Sequence, residues 1–394
     1  MKIGILGQGV SGIFLALFIK QKNSNVDITI IDKNNIPTRK LLNTGNGRCN
    51  LANLEINDYS YNTSFVKDVV SSYDSSKIIK QLEEWGIFTR HFNNCVYPYS
   101  LSARAFADYL YFLAKEMKIK FVNNENFLNY KVENGKIIIE TSKKKFSFDK
   151  FVFASGSCSA SYLGGSKSVI SCLEEHGYEV VPLKPGLAPI RTVEITKTAE
   201  NQKVKAKVSL LIDKKKVYEE TGEVLFKKDG LSGIAIFNCA SMIARSSKFK
   251  KAVISLDLVP EYSEEELLKK LSDLNSFSKN SVLNGLFTKT IAEYVRKVSG
   301  VKNLSSFTNS EIKKIVQTLK KLEFTYKETY SFDESQVTVG GISLAEINNN
   351  FESKKESGIY FMGEILNADG LCGGYNIMWA IASANKVAEN FTSL

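Results

Sequence analysis

The sequence predicts an α/β fold: a parallel sheet opening on a dinucleotide-binding strand–helix–strand unit, with a β-barrel and a helical lobe inserted into it. Three observations carry this. The first twelve residues pass from an apolar strand into a glycine-rich turn. A second glycine-rich strand-to-helix turn stands near the other end of the chain. Between them, from about residue 186 to 335, antiparallel strand patterns give way to helix patterns, as in a separate insertion.

Lys2-Ile3-Gly4-Ile5-Leu6 reads as a buried strand. It runs into Gly7-Gln8-Gly9-Val10-Ser11-Gly12, a G-x-G-x-x-G, followed by an apolar helix pattern through Ile13, Phe14, Leu15, Leu17, Phe18 and Ile19. In such a unit the first glycine permits the tight turn, the second lets the backbone approach a pyrophosphate, and the third packs the helix on the sheet. The helix start offers its N–H groups to the phosphates. Glycine turns are common, so the motif alone is weak. Its context strengthens it: a second strand, Val26 to Ile31, ends at Asp32, where an acid accepts hydrogen bonds from a ribose.

The 394 residues are enough for two or three domains. Hydrophobic content of 43% and charged content of 24% are those of a soluble globular chain. No apolar run reaches the length of a membrane span. A strand beginning at residue 2 leaves no place for a signal peptide, so a cytoplasmic protein is expected. The net charge of +10 could attract polyanions. Its densest runs, Lys143-Lys144-Lys145 and Lys214-Lys215-Lys216, look like hairpin tips without the interleaved aromatics that single-strand binding uses, so a nucleic-acid partner is not expected. Six scattered cysteines without a C-x-x-C, and only His91 and His176, predict no metal site and a reducing compartment.

After Asp32 the chain runs without periodicity to Asn53, and Arg39 to Asn50 combines cations, glycines and small polar residues. A loop this long is more often functional than merely solvated. A short amphipathic helix follows from Ser75 to Trp85, then a helix from about Ser102 to Met117. A strand over 118–123 and a hairpin around Asn134-Gly135 lead to the buried strand Lys150 to Ala154. The turn Ala154-Ser155-Gly156-Ser157 gives a second close approach to the nucleotide. In the insertion, Val204 to Asp213, Lys216 to Glu220 and Ala252 to Val259 read as strands. Three helix starts have capping-box spacing: Ser263 with Glu266, Thr290 with Glu293, and Thr308 with Glu311. Gly222-Glu223-Val224-Leu225-Phe226 and Gly230-Leu231-Ser232-Gly233 read as glycine-bracketed turns, which either border a substrate cleft or only make bends. The chain returns through Val337-Thr338-Val339-Gly340-Gly341, the strand Gly358 to Met362, then Gly363-Glu364 and Asp369 to Asn376, before a final helix.

With these motifs together, the chain resembles the bacterial NAD(P)/FAD-dependent oxidoreductases related to aminoacetone oxidase and to a bile-acid-intermediate reductase. The resemblance spans nearly the whole chain. It rests on the N-terminal glycines, Arg39 to Asn50, Gly222 to Gly233, Val337 to Gly341, and Gly363 to Asn376. It implies a Rossmann-like, glutathione-reductase-like FAD domain with the insertion over the flavin. The expected boundaries are 1–185 and 336–394 for the FAD domain, 186–260 for the barrel, completed by 323–335, and 261–322 for the helical lobe.

Carried over by residue, Gly7, Gly9, Val10, Ser11 and Gly12 hold the pyrophosphate, and Asp32 and Lys33 the adenosine ribose. Lys40, Thr44, Gly45, Gly47, Arg48, Cys49 and Asn50 lie along the cofactor. The backbone near Asn126 meets the adenine, and Ala154, Ser155 and Gly156 make the second close approach. Gly363, Glu364, Asp369, Gly370, Gly374, Tyr375 and Asn376 wrap the ribityl chain and ring. The sequence departs from the usual pattern at Asp32, Asn46 and Ala154 to Ser157.

The expected activity is hydride transfer between a small organic substrate and flavin N5, as an amine oxidase of aminoacetone-oxidase type. The alternatives are an NAD(P)H-dependent reductase of an enone or other C=C bond, and a flavoprotein acting on RNA. NAD(P)H would visit only as a transient reductant, there being no second G-x-G-x-x-G. No catalytic residue is named. The pocket candidates are Cys49, Tyr97, Tyr162, Phe226, Cys372 and Trp379, each equally readable as a core aromatic or buried thiol. Oligomeric state is left open.

Overall fold

The strand Lys2–Leu6 lies at the centre of a five-stranded parallel sheet in the computed structural model. Ile359–Phe361 and Lys150–Phe153 lie on one side of it, and Asp27–Ile31 and Lys120–Val122 on the other. Ile3, Ile5, Ile28, Ile30, Phe151 and Phe153 are all fully buried. A parallel sheet covered on both faces produces the near-continuous apolar runs seen in the sequence. Leu6 is in register with both Ile31 and Phe153, so the carboxyl ends of these strands finish level. That edge is where open α/β sheets bind ligands.

The structure describes residues 1–246, 248–277, 283–302 and 307–391. They form two compact units, one of residues 1–184 and 335–394, the other of 185–334. In the first unit the opening helix Val10–Lys22 is buried from Ser11 through Ile19 and packs on the closing helix Tyr375–Glu389. Phe14 and Phe18 also meet the Trp85 ring, at 5.4 and 5.3 Å. Being enclosed on all sides, the opening helix shows no polar stripe. Two three-stranded antiparallel sheets also belong to this unit. One joins Ala52–Asn53, Cys95–Pro98 and Thr89–Phe92; the other joins Phe127–Glu133, Lys136–Thr141 and Lys145–Phe148. Asn134 and Gly135 both take positive φ, the tight-hairpin geometry that an Asn-Gly pair favours.

Among its described residues the second unit is a closed six-stranded antiparallel barrel with four α-helices. Ile190–Thr192 closes it by pairing with both Gly230–Ser232 and Leu322–Thr329. Three of its helices, Glu264–Phe277, Lys289–Val298 and Asn309–Lys320, lie in sequence between its last two strands. Three sequence expectations need correction here. Neither glycine-bracketed segment is a turn: Gly222 to Phe226 belongs to the long strand Lys215–Lys227, which pairs with Lys203–Ile212 across one register shift, and Gly230–Ser232 is itself the next strand. Phe226 and Leu231 are fully buried in the barrel core, where the Phe226 ring meets Tyr294 and Phe324. Alternation along a barrel strand turns every second side chain inward, and these two fall on the inner face. The helix expected to start at Thr290 is capped by Thr288, whose hydroxyl accepts from Ile291 N–H. The capping boxes at Ser263 and Thr308 form.

Candidate functional site

Beyond the level carboxyl ends of the parallel strands opens a cavity of about 600 Å³, walled entirely by the first unit. Its volume lies within the range of small-molecule and cofactor sites. The glycine turn forms one wall. Gly7 holds φ +112°, and a Cβ there would stand 2.4 Å from the Ala154 carbonyl. A Cβ on Gly12 would stand 1.9 Å from the Gly7 carbonyl, so the helix sits against the turn. Gly9 is different: a Cβ there meets nothing within 4 Å, and Gly9 lines the cavity. It is the N-cap of the opening helix and carries no side-chain cap, which leaves first-turn N–H groups for a ligand. Val10 and Ser11 line the same wall.

Asp32 lies in the wall with its carboxylate already engaged. Its Oδ2 accepts from Gln8 N–H at 2.9 Å; its Oδ1 accepts from the Asn34 N–H and side-chain amide at 2.7 and 3.0 Å. It therefore ties the glycine turn to the loop after the second strand. Arg39 extends the seam by donating to Asn34 Oδ1 and the Tyr162 carbonyl, each at 3.0 Å. Lys33 also lines the cavity, and burial lowers its pKa against the opposing pull of Asp32.

A second polar cluster joins distant parts of the sequence. Lys40 Nζ donates to Glu364 Oε2 at 3.0 Å and to Ser159 Oγ at 2.8 Å. Ser159 Oγ donates to Glu364 Oε1 at 2.8 Å, and Thr338 N–H to the same oxygen at 3.0 Å. Lys40 and Glu364 line the cavity and neutralise each other there.

Thr44, Asn126, Ala154, Ser155, Gly156, Asn376 and Trp379 also line it. Trp379 is buried and donates its indole N–H to the Gly363 carbonyl at 3.0 Å. Other sequence-named residues stand behind the wall. Gly363 packs on Ser11, where a Cβ would come within 2.3 Å of the hydroxyl. Asp369 is fully buried, its backbone joined to Asn62. The Gly370 amide donates to Asn376 Oδ1 at 2.8 Å. Tyr375 donates to the Glu55 carbonyl, and Gly374 packs on Ala52. Gly45 and Gly47 lie in the kinked 3-10 segment Leu41–Gly47, whose backbone leaves helical geometry at Thr44 to Asn46, and Arg48 ends it.

Four pocket candidates besides Phe226 lie outside the wall. Cys49 is fully buried and its thiol is pushed up to about 12 by burial, which makes it an inert core residue. Tyr162 projects into solvent with 60% of its surface exposed. Tyr97 belongs to the small antiparallel sheet, and Cys372 Sγ lies 4.0 Å from Gln336 Oε1.

Gln8, Asn34, Glu125 and Gln336 line the cavity without having been singled out. Gln8 and Glu125 adjoin named residues, and that adjacency was the available signal. Ser159 had none, since its partners stand 119 and 205 positions away.

The profile of the HI0933-like protein Rossmann domain matches residues 1–390. The chain belongs to the HI0933-like family. It is thereby an FAD-dependent oxidoreductase, and FAD is the cofactor that the family implies.

Among curated relatives, this family member is 26% identical over 397 residues to the 3-dehydro-bile acid delta(4,6)-reductase of Clostridium scindens, covering 97% of each chain. It is 25% identical to the ribosomal RNA dihydrouridine synthase of Escherichia coli, covering 98% of this chain and 96% of that one. Among solved structures, 3-ketosteroid delta1-dehydrogenase from Sterolibacterium denitrificans matches with a TM-score of 0.51 at 9% identity, covering 99% of each chain. An FrdA variant of Escherichia coli quinol fumarate reductase matches with a TM-score of 0.50 at 14% identity, covering all of this chain and 70% of that one. These two likenesses are of fold.

The HI0933-like cavity fits the cofactor on its own terms. Gly9 leaves the helix start open, and the buried Gln8 Oε1 in the same turn has no hydrogen-bond partner. Among the described residues no group of acids, histidines and cysteines could hold a metal, and no helix is long and apolar enough to cross a membrane.

Proposed function

We propose that this chain reduces a carbon–carbon double bond conjugated to a carbonyl, with FAD held in the 600 Å³ cavity and NAD(P)H as a transient reductant. The observation that carries the cofactor's placement is Gly9, whose missing side chain leaves open space at an uncapped helix start. The reaction is supported by the two relatives, which share nearly the whole length of this chain. Both names describe saturation of a ring double bond beside a carbonyl. The amine-oxidase reading has no such support among them. A second reading, in which the double bond belongs to an RNA nucleobase, is favoured by the net charge of +10 and the dihydrouridine synthase.

When bound and reduced by NAD(P)H, FAD would supply the hydride for one carbon of the double bond, and the other carbon would take a proton from solvent or a side chain. The chain's part is binding and orientation. Gly7, Gly9 and the first turn of the opening helix would hold the pyrophosphate. Asp32 keeps that turn in place through Gln8. The Lys40–Glu364–Ser159 cluster would present a neutral, hydrogen-bonded wall to the polar chain of the cofactor. Trp379 and Val337 would exclude water, which favours hydride transfer over side reactions.

The test is an anaerobic spectral titration of the purified yellow protein. NADH or NADPH is expected to bleach the flavin, and a cyclic enone or a uridine-containing oligonucleotide to restore the colour without oxygen. Bleaching by aminoacetone and not by either nicotinamide would overturn the reading in favour of the amine oxidase.

A further inference from the structure

The sheet of Ala52–Asn53, Cys95–Pro98 and Thr89–Phe92 presents a face outside the cavity wall. Arg90 stands opposite Tyr97, and Phe92 opposite Cys95. Directly opposed residues share a face of a sheet. Past the strand ends, Tyr99 N–H donates to the Phe88 carbonyl at 2.8 Å, which prolongs the pairing.

This face is both aromatic and cationic. The Phe92 and Tyr97 rings lie 5.9 Å apart. The Arg90 guanidinium covers Tyr99 at 3.7 Å, and that of Arg48 lies over Tyr97 at 5.5 Å. Phe88, Tyr99 and Phe92 are 70%, 61% and 48% exposed. Clustered aromatic exposure of this kind marks an interaction site. No described ion pair neutralises either arginine, and the buried Nε of Arg90 has no hydrogen-bond partner.

The face also leads to the cavity. The Tyr97 ring lies 3.5 Å from where a Cβ on Gly45 would stand, next to Thr44 in the wall. Cys95 Sγ meets the Gly373 carbonyl at 3.9 Å, and the preceding Cys372 reaches Gln336 of the wall.

Apolar rings alone would suit any hydrophobic ligand, and unpaired arginines alone any anion. Rings and guanidiniums alternating along one face match planar bases joined by phosphates. We propose that Arg48, Arg90, Phe92 and Tyr99, lying around the buried Tyr97 ring, form a docking surface for single-stranded RNA, which delivers one pyrimidine base toward the cavity. The proposal rests on the double-bond reductase reading and names its substrate class.

The test uses the full-length, FAD-loaded protein and a fluorescein-labelled uridine-rich single strand, with anisotropy followed as KCl rises. Tyr99→Leu is expected to weaken binding at least about fivefold, and Tyr99→Phe, which keeps the ring, to bind as wild type. Arg90→Gln is expected to weaken binding and reduce the salt slope by about one. The double variant Lys143→Gln, Lys144→Gln, on the hairpin of the other small sheet, is expected to bind as wild type. Flavin content serves as the check that each variant is folded.

Equal RNA binding by wild type, Tyr99→Leu and Arg90→Gln overturns the proposal, as does a wild type that binds no RNA at low salt. NAD(P)H-driven reduction of a free enone by the wild type tests the underlying reading separately. Enone turnover without RNA binding overturns the docking surface alone. RNA held through Tyr99 and Arg90, with neither enone nor uridine reduced, supports the surface and overturns the reductase reading.

Discussion

Replacing Gly9 with valine is expected to empty the protein of FAD without unfolding it. Gly9 has φ −76° and ψ −174°, an extended conformation that any residue adopts. A Cβ there meets nothing within 4 Å, so the side chain enters the cavity and not the packed interior. The substitution trims unfolded-chain entropy, which stabilises by about 0.4–1 kcal/mol, and places a poorer residue at the N-cap, which costs a similar amount. The stability of the ligand-free fold should thus stay within about 1 kcal/mol of wild type. FAD at a hundred times its Kd should stabilise wild type by about 2.7 kcal/mol. For a unit of this size, about 2–4 °C per kcal/mol makes a rise in Tm of about 5–10 °C. Thermal melts of flavin-stripped protein with and without FAD, with flavin absorbance after desalting, measure both effects. Gly12→Val serves as the contrast, since its Cβ would stand 1.9 Å from the Gly7 carbonyl and the fold itself should fail. A Gly9→Val protein that stays yellow and gains the full rise in Tm would show that the pyrophosphate is not held at this turn.

Two further outcomes are expected. Phe226→Ala should destabilise the barrel unit by about 3–5 kcal/mol through the cavity it leaves in the core, with flavin content per folded molecule unchanged; a loss of substrate affinity at unaltered stability would restore Phe226 as a pocket residue. Hydrogen bonds from Lys216 and Lys207 hold Glu219 down at about 2, from 4.5. Because the folded pKa is depressed, its stabilisation is full above about pH 4.5 and disappears as pH falls through about 2. Exposure keeps that stabilisation to about 1 kcal/mol or less. The Tm gap between wild type and Glu219→Gln should therefore close on acidification, and a gap that is constant from neutrality to pH 2 would contradict the pairing.

The fold class was legible in the sequence because its signals are local. A strand feeding Gly7, Gly9 and Gly12, with Asp32 ending the next strand, specifies a strand–helix–strand unit within the first 32 residues. Turn and cap chemistry is equally local, hence the hairpin at Asn134-Gly135 and the caps at Ser263 and Thr308. Facing is not local. Whether Phe226 meets a ligand or a core depends on barrel closure by Ile190–Thr192, a strand whose own sequence says nothing about it. Cys49, in a polar loop, could be read as a pocket residue or a buried thiol, and only the fold decides that it is buried. The Lys40–Glu364–Ser159 cluster joins positions hundreds of residues apart. The aromatic and arginine face has the same origin. Arg48, Arg90 and Tyr99 are unremarkable singly in the chain. Strand pairing sets Arg90 against the Tyr97–Tyr99 segment, and the kinked helix before Arg48 brings its guanidinium over Tyr97. Periodicity and turn chemistry reach only a few residues along the chain, whereas a site is made of side chains that meet through space. The sequence by itself therefore determined the fold class and its local turns and caps, and the tertiary structure decided which side chains line the cavity.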